Sequence, residues 1–259
     1  MQALLMCGSV PDPRDPLYSE TRGGPKALLD VAGKPMAQWV LDALNGAGSV
    51  EGIIIIGLGP ESGLATNKPV AYLPDHGGAV PNALAGVERA LQQQPSTTHV
   101  LLTSCDVPAA TSEMIEWRVA VGVESGADFD YLAIDRRVME ARYPGSRRTY
   151  TPLRGMQVCG GDINVAHVRL AANAPFVTRL AEARKSPLRM ASLIGWNVLL
   201  LFLLRQLTIE RGEQLVSRNL GISARVHLCP YAELGMDIDK PHQLEILRQD
   251  LAGARAATR

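Results

Sequence analysis

Val100-Leu101-Leu102-Thr103-Ser104-Cys105-Asp106-Val107-Pro108 is a short apolar run that ends in one acid and a proline. Apolar side chains at successive positions mark a strand buried on both faces, as in the middle of a parallel sheet. Working outward, Ile53-Ile54-Ile55-Ile56 is a second such run, closed by Gly57, and Ala3 to Met6 is a third, closed by Cys7-Gly8. Helical patterns lie between them. Pro35 leads into Met36, Trp39, Val40, Leu41 and Leu44, which share one face at 3.6-residue periodicity and stop at Asn45-Gly46. Val70 to Leu73 is a shorter strand, Val80 to Leu91 and Ser112 to Val121 are helices, and Phe129 to Ile134 is strand-like. This alternation predicts a three-layer α/β/α architecture around a mostly parallel mixed sheet. Ligands of such sheets gather at the carboxyl ends of the strands, so Gly8, Gly57 and Asp106 carry the most weight.

From about Pro144 the regularity falls. Arg147, Arg148 and Arg154 sit in a Gly/Pro/Thr-rich loop, followed by Cys159-Gly160-Gly161-Asp162 and helical patterns to Leu220. A strand at Ala224 to Leu228 and a helix from Pro241 to Leu251 end the chain. The run Val198-Leu199-Leu200-Leu201-Phe202-Leu203-Leu204 is closed by Arg205 and is too short for a span, which needs about 20 residues. It reads as a buried helix, with a homodimer or peripheral membrane contact as the alternative.

The 259 residues are 46% hydrophobic and carry 26 basic and 26 acidic side chains, so no net charge drives a broad grip on nucleic acid or an acidic membrane. Length alone allows one large domain or two small ones. The 24 Gly and 17 Pro are dispersed, which excludes low-complexity and collagen-like chains. Cys7, Cys105, Cys159 and Cys229 have neither CxxC nor zinc spacing, and they read as reduced thiols of a cytoplasmic protein. The first residues show no secretory signal.

Three constellations carry chemistry. The loop Gly8 to Lys26 has a glycine directly after a strand and three cations, Arg14, Arg22 and Lys26, a composition suited to phosphate. Asp106, alone at the tip of a central strand and followed by Val107-Pro108, suits Mg²⁺, which takes one or two protein carboxylates and completes its shell from phosphates and water. A turn or capping aspartate is the plainer alternative. Asp237-Ile238-Asp239-Lys240-Pro241 offers two acids at i and i+2; Asp237 is the metal candidate and Asp239 the helix cap, and the roles are interchangeable on sequence alone.

In this order the segments resemble nucleotidyltransferases of the GT-A-like, nucleoside-diphospho-sugar transferase type, especially the molybdenum-cofactor guanylyltransferase-like group. Leu4-Leu5-Met6-Cys7-Gly8, Pro25-Lys26, Gly33-Lys34-Pro35-Met36, Asp106-Val107-Pro108 and the Asp237 segment match the family pattern. Gly77-Gly78-Ala79-Val80-Pro81-Asn82 is similar to its base-reading loop, and Gly160-Gly161 to its acceptor-side glycines. The resemblance implies one domain over 1–259, with a nucleotide-binding half at 1–110, an acceptor-binding half at 111–259 and a helical insertion at about 175–220. It implies transfer of a nucleoside monophosphate from a nucleoside triphosphate to a phosphorylated small-molecule acceptor, with Mg²⁺ as cofactor. It implies Lys26, Arg14 and Asp106 as catalytic residues, and Cys7, Gly8, Ser9, Arg22, Lys26, Gly77 and Asn82 around the nucleotide. Asp106, Asp237 and Asp239 would be near the metal, and one of Arg147, Arg148 and Arg154 would meet the acceptor's phosphate.

The chain departs from the family where Ser9-Val10-Pro11-Asp12-Pro13-Arg14 lacks the second glycine of the loop and two prolines remove N–H donors. Either Arg14 or Arg22 compensates, or activity is lost. Two other classes share the fold. A glycosyltransferase would need an Asp-x-Asp at the central strand, where this chain has Ser104-Cys105-Asp106. A non-catalytic nucleotide-binding module would keep the fold with an altered loop.

Overall fold

The computed structural model describes residues 1–8, 12–174, 177–179, 192–193 and 195–257. Nine of their strands form one sheet: β1 (Gln2–Met6), β4 (Gly52–Ile56), β5 (Val70–Leu73), β6 (His99–Ser104), β7 (Phe129–Asp135), β8 (Thr151–Leu153), β9 (Met156–Gly160), β10 (Ile163–His167) and β11 (Ala224–Leu228). Two-residue strands β2 (Asp30–Val31) and β3 (Lys34–Pro35) make a separate ribbon. The sheet order is β5-β4-β1-β6-β10-β7-β9-β8, with β11 paired to β7. β10 and β9 run against the others, so the sheet is mixed but mostly parallel.

The alternation of strand side chains sorts the core into layers. Ala3, Leu5, Ile53, Ile55, Leu101 and Val165 face one side, against α2 (Met36–Gly46), α4 (Ser112–Glu124) and the terminal helix α8 (Pro241–Ala257). Leu4, Ile54, Ile56, Val100 and Ala166 face the other, against Val87 and Ala90 of α3 (Ala79–Gln93). All five residues of β4 are buried, as expected for a strand covered on both faces. Each such aliphatic side chain contributes about 1.5–3 kcal/mol by leaving water.

Four features differ from the sequence reading. The expected loop from Gly8 to Lys26 contains, among its described residues, a helical turn, α1 (Tyr18–Thr21). The irregular region after Pro144 supplies β8, β9 and β10, and β10 inserts antiparallel between β6 and β7. α5 (Arg136–Arg142) follows β7 directly. The apolar helix α6 (Trp196–Leu203) is also not buried: of its side chains only Val198 is, while Trp196 (62%), Leu200 (56%) and Leu203 (67%) lie open, as does Leu204 beyond it. A small satellite core of Val198, Leu207 and Leu215 ties it to α7 (Ile209–Leu220). Residues 175, 176, 180–191 and 194 of the expected helical insertion lie outside the described residues. No described helix is long and apolar enough to cross a membrane.

Candidate active site

β1, β4 and β6 end level: Met6 pairs with Ile56 on one side and with Ser104 on the other. Pairing continues one residue further, as Cys7 N–H donates to the Ile56 carbonyl and Cys105 N–H to the Met6 carbonyl. Gly8, Gly57 and Asp106 therefore share one rim. Gly57 (φ +96°) has its backbone against Gly8; a Cβ there would fall 2.3 Å from Gly8 Cα.

Lys26 enters this rim from a short 3₁₀ turn, Lys26–Leu28, set by the extended Pro25. Its Nζ donates to Asp239 Oδ1 at 2.7 Å and lies 4.0 Å from Asp106 Oδ2. The Asp237–Asp239 segment reaches the same place because Ile238 N–H donates to the Asp106 carbonyl at 3.0 Å. Asp239 uses its carboxylate on Lys26, and its N–H donates to the Gln243 side chain at the start of α8. Thr111 caps α4, accepting from Met114 N–H, so Asp106 is not that helix's cap.

A further acid, Asp162, has no role in the sequence reading. It stands where β10 begins, bound through its backbone to Ser104 N–H and the Leu234 carbonyl. Only the insertion of β10 beside β6, a long-range pairing, brings it to Asp106. Arg148 belongs to the same group: its guanidinium donates to Asp237, approaches Asp162 Oδ2 at 3.9 Å and reaches the Gly160 carbonyl at 3.4 Å.

Burial raises the Asp106 carboxyl above the usual range, opposed by Lys26 and the Ser104 hydroxyl. Burial, and then the charge of Asp106, push Asp162 up to about 7. Burial draws Lys26 down, but Asp106 and Asp239 outweigh it and hold its ammonium above the ordinary lysine value. The rim thus gathers more negative charge than its cations neutralise, and Asp106 Oδ1 is buried with no hydrogen-bond partner. That donor set fits Mg²⁺ bound by one or two carboxylates together with phosphate oxygens. Among the described residues no group of three or more His, Cys, Asp or Glu side chains is arranged to hold a metal alone.

On the neighbouring strand end, Asp75 accepts from Gly77 N–H and from the Asn82 side-chain amide, whose oxygen in turn accepts from His76 N–H. Asn82 is buried, so it braces the Gly77-Gly78 turn from within. A Cβ on Gly8 would meet Asp75 Oδ1 at 2.7 Å and Asn82 Nδ2 at 2.9 Å, which joins this brace to the rim.

The remaining expected residues lie apart from these contacts. Arg14 is exposed and its guanidinium is tied to Asp12. Arg22 is exposed at the left-handed end of α1. The Cys7 thiol is buried in the core, so only its backbone borders the rim. Arg147 and Arg154 are exposed. Ser9 lies outside the described residues.

Residues 18–221 match the MobA-like NTP transferase domain family. Among solved structures, the chain is similar to a hypothetical transferase from Thermus thermophilus, with 32% identity, TM-score 0.78 and coverage of 94% of this chain and 98% of that one. It also resembles a CMP:2-keto-3-deoxy-manno-octonic acid synthetase complexed with CTP (15% identity, TM-score 0.61, 98% of each chain). A third likeness is to 4-diphosphocytidyl-2C-methyl-D-erythritol synthase from Anaerococcus prevotii (11%, TM-score 0.56, 96% of this chain and 95% of that one). These last two share the nucleoside-diphospho-sugar transferase fold with this chain. No curated protein matches the sequence.

Proposed function

Because this chain belongs to the MobA-like NTP transferase family, we propose that it transfers a nucleoside monophosphate from a nucleoside triphosphate to a phosphorylated small-molecule acceptor, releasing pyrophosphate. The observation that carries this reading is the position of Lys26, 2.7 Å from Asp239 and 4.0 Å from Asp106 at the rim bordered by Gly8. An ammonium held there can meet the α-phosphate, where charge builds as the acceptor's phosphate oxygen bonds to phosphorus and the bond to pyrophosphate breaks. Gly8 lets polyphosphate oxygens approach the backbone closely. Asp106 and Asp237 are the residues that would hold Mg²⁺, which when bound neutralises phosphate charge. Asp239 orients Lys26. The Gly77-Gly78 turn, braced by Asp75 and Asn82, presents backbone groups to the base. The four cysteines are free and buried, which supports the reading of a cytoplasmic protein.

The test is exchange of labelled pyrophosphate into each nucleoside triphosphate with Mg²⁺, in the presence of phosphorylated acceptors. Exchange into one triphosphate is the expected result. Nucleotide binding without exchange would leave a non-catalytic module, and sugar release from a nucleotide-sugar would make it a glycosyltransferase.

A further inference from the structure

Arg148 is one of the three arginines expected at the acceptor's phosphate, and its guanidinium lies among the acids of the rim. Its side chain is 13% exposed, so it is buried among the acids and not solvated beside them. It donates to Asp237, a residue read above as a metal ligand, and lies 3.9 Å from Asp162. The turn that leads into it is anchored at Ser146. Ser146 N–H donates to the Tyr143 carbonyl, and the Ser146 carbonyl stands 3.0 Å from the His242 ring of α8. Arg147, directly before it, takes the left-handed conformation (φ +53°) that side chains other than glycine rarely adopt. Arg148 Nε is buried with no hydrogen-bond partner, a cost that is relieved when the side chain leaves.

A guanidinium and a divalent ion cannot share the same face of Asp237, since two cations at contact distance in a partly dry cleft repel strongly. We propose that Arg148 is a tethered cation that neutralises Asp237 and Asp162 in the nucleotide-free protein, and that a divalent ion reaches Asp237 only by displacing it. This rests on the assignment of Asp237 as a metal ligand. The contact weakens metal binding at Asp237 and gives metal arrival a defined consequence, release of one guanidinium toward the cleft.

Equilibrium binding of Mn²⁺ alone to the nucleotide-free full chain, read from the signal of free Mn²⁺, tests it. Arg148→Gln binds roughly tenfold to a hundredfold more tightly than wild type, the range of a lost charged hydrogen bond. Arg148→Lys, whose shorter ammonium cannot span both acids, gains less but still gains. In the wild-type chain, the Arg148 Nε–H resonance shifts as Mg²⁺ is added. A folded variant that binds Mn²⁺ no better than wild type, or a resonance that Mg²⁺ leaves in place, overturns the inference while leaving nucleotidyl transfer untouched. Tight binding by Arg148→Gln that survives addition of Asp237→Asn removes Asp237 from the metal and overturns both the inference and the ligand assignment it stands on.

Discussion

Gly8 has no room for a side chain: a Cβ would press on Asp75 at 2.7 Å and on Asn82 at 2.9 Å. Gly8→Ala must therefore part the Asp75–Asn82 pair that holds the Gly77 turn. Steady-state kinetics should show a raised KM for the triphosphate with a smaller change in kcat; an unchanged KM would detach this brace from the nucleotide. Lys26→Ala removes the ammonium from the Asp106–Asp239 pair and should lower kcat by about 10²–10³-fold with the thermal midpoint nearly unchanged. Near-wild-type turnover would end its assigned role. Lys26, Asp106 and the Asp237–Asp239 pair were legible in the sequence because each follows a strand or opens a helix, where local pattern and chemistry coincide. Asp162 was not, and Arg148 stood out only as one of three arginines for the acceptor's phosphate, because what brings the two to the rim is the pairing of β10 with β6 and a left-handed turn at Arg147. Neither leaves a periodic trace.

At the scale of elements, β10, β11 and the turn after β10 are tied together by one acid. Asp128 accepts from Arg169 and from Ser223 N–H, and its own carbonyl accepts from His167 N–H. Burial raises its carboxyl, but Arg169 and the Ser223 N–H outweigh that and hold it below the ordinary 3.8. A folded-state value below the unfolded one means stability that is present above 3.8 and lost as pH falls through the folded value. Asp128→Asn should cost about 1–3 kcal/mol in urea unfolding at pH 7, and a variant as stable as wild type would show that these bonds carry nothing. The opposite ends of β6 and β10 bring His99 and His167 to 4.7 Å. Burial, each other's proximity and Arg169 set the pKa of His99 below 6.5, and burial with Arg169 does the same for His167, with Asp128 opposing. Protonation then favours the unfolded chain, so stability should decline as pH drops below about 6.5. His99→Gln should flatten that slope between pH 7.5 and 5.5, and an unaltered slope would place the acid sensitivity elsewhere. The parallel strands announced themselves as continuous apolar runs, as Ile53 to Ile56 does. The antiparallel insert did not, since Ile163-Asn164-Val165-Ala166-His167 is short and mixed. The buried helix expected at Val198–Leu204 failed for a related reason: composition reports apolarity, whereas exposure depends on what packs against it.

Across the whole molecule, the sheet holds two ionic groups with different tasks. The carboxyl ends of β1 and β6 gather the charged cluster of the rim, while a second ionic group is fully buried beneath α4. Arg118, fully buried on α4, donates to the Ile163 carbonyl and to both the carbonyl and the carboxylate of Asp130, which also meets His227. One guanidinium thus joins a helix to β10 and β7, and His227 brings in β11. Removing one partner strands the other charge, so Asp130→Asn should destabilise by about 3–5 kcal/mol, measurable by chemical denaturation; a loss under 1 kcal/mol would show the pair is incidental. The central claim concerns the rim, where a metal–polyphosphate complex is to be received between Lys26 and the acids Asp106 and Asp237. A crystal structure with Mn²⁺ and a non-hydrolysable triphosphate tests it most directly. An anomalous peak bridging Asp106 and Asp237, with Lys26 on the α-phosphate, is the predicted result; a nucleotide or metal seated away from that rim would contradict it.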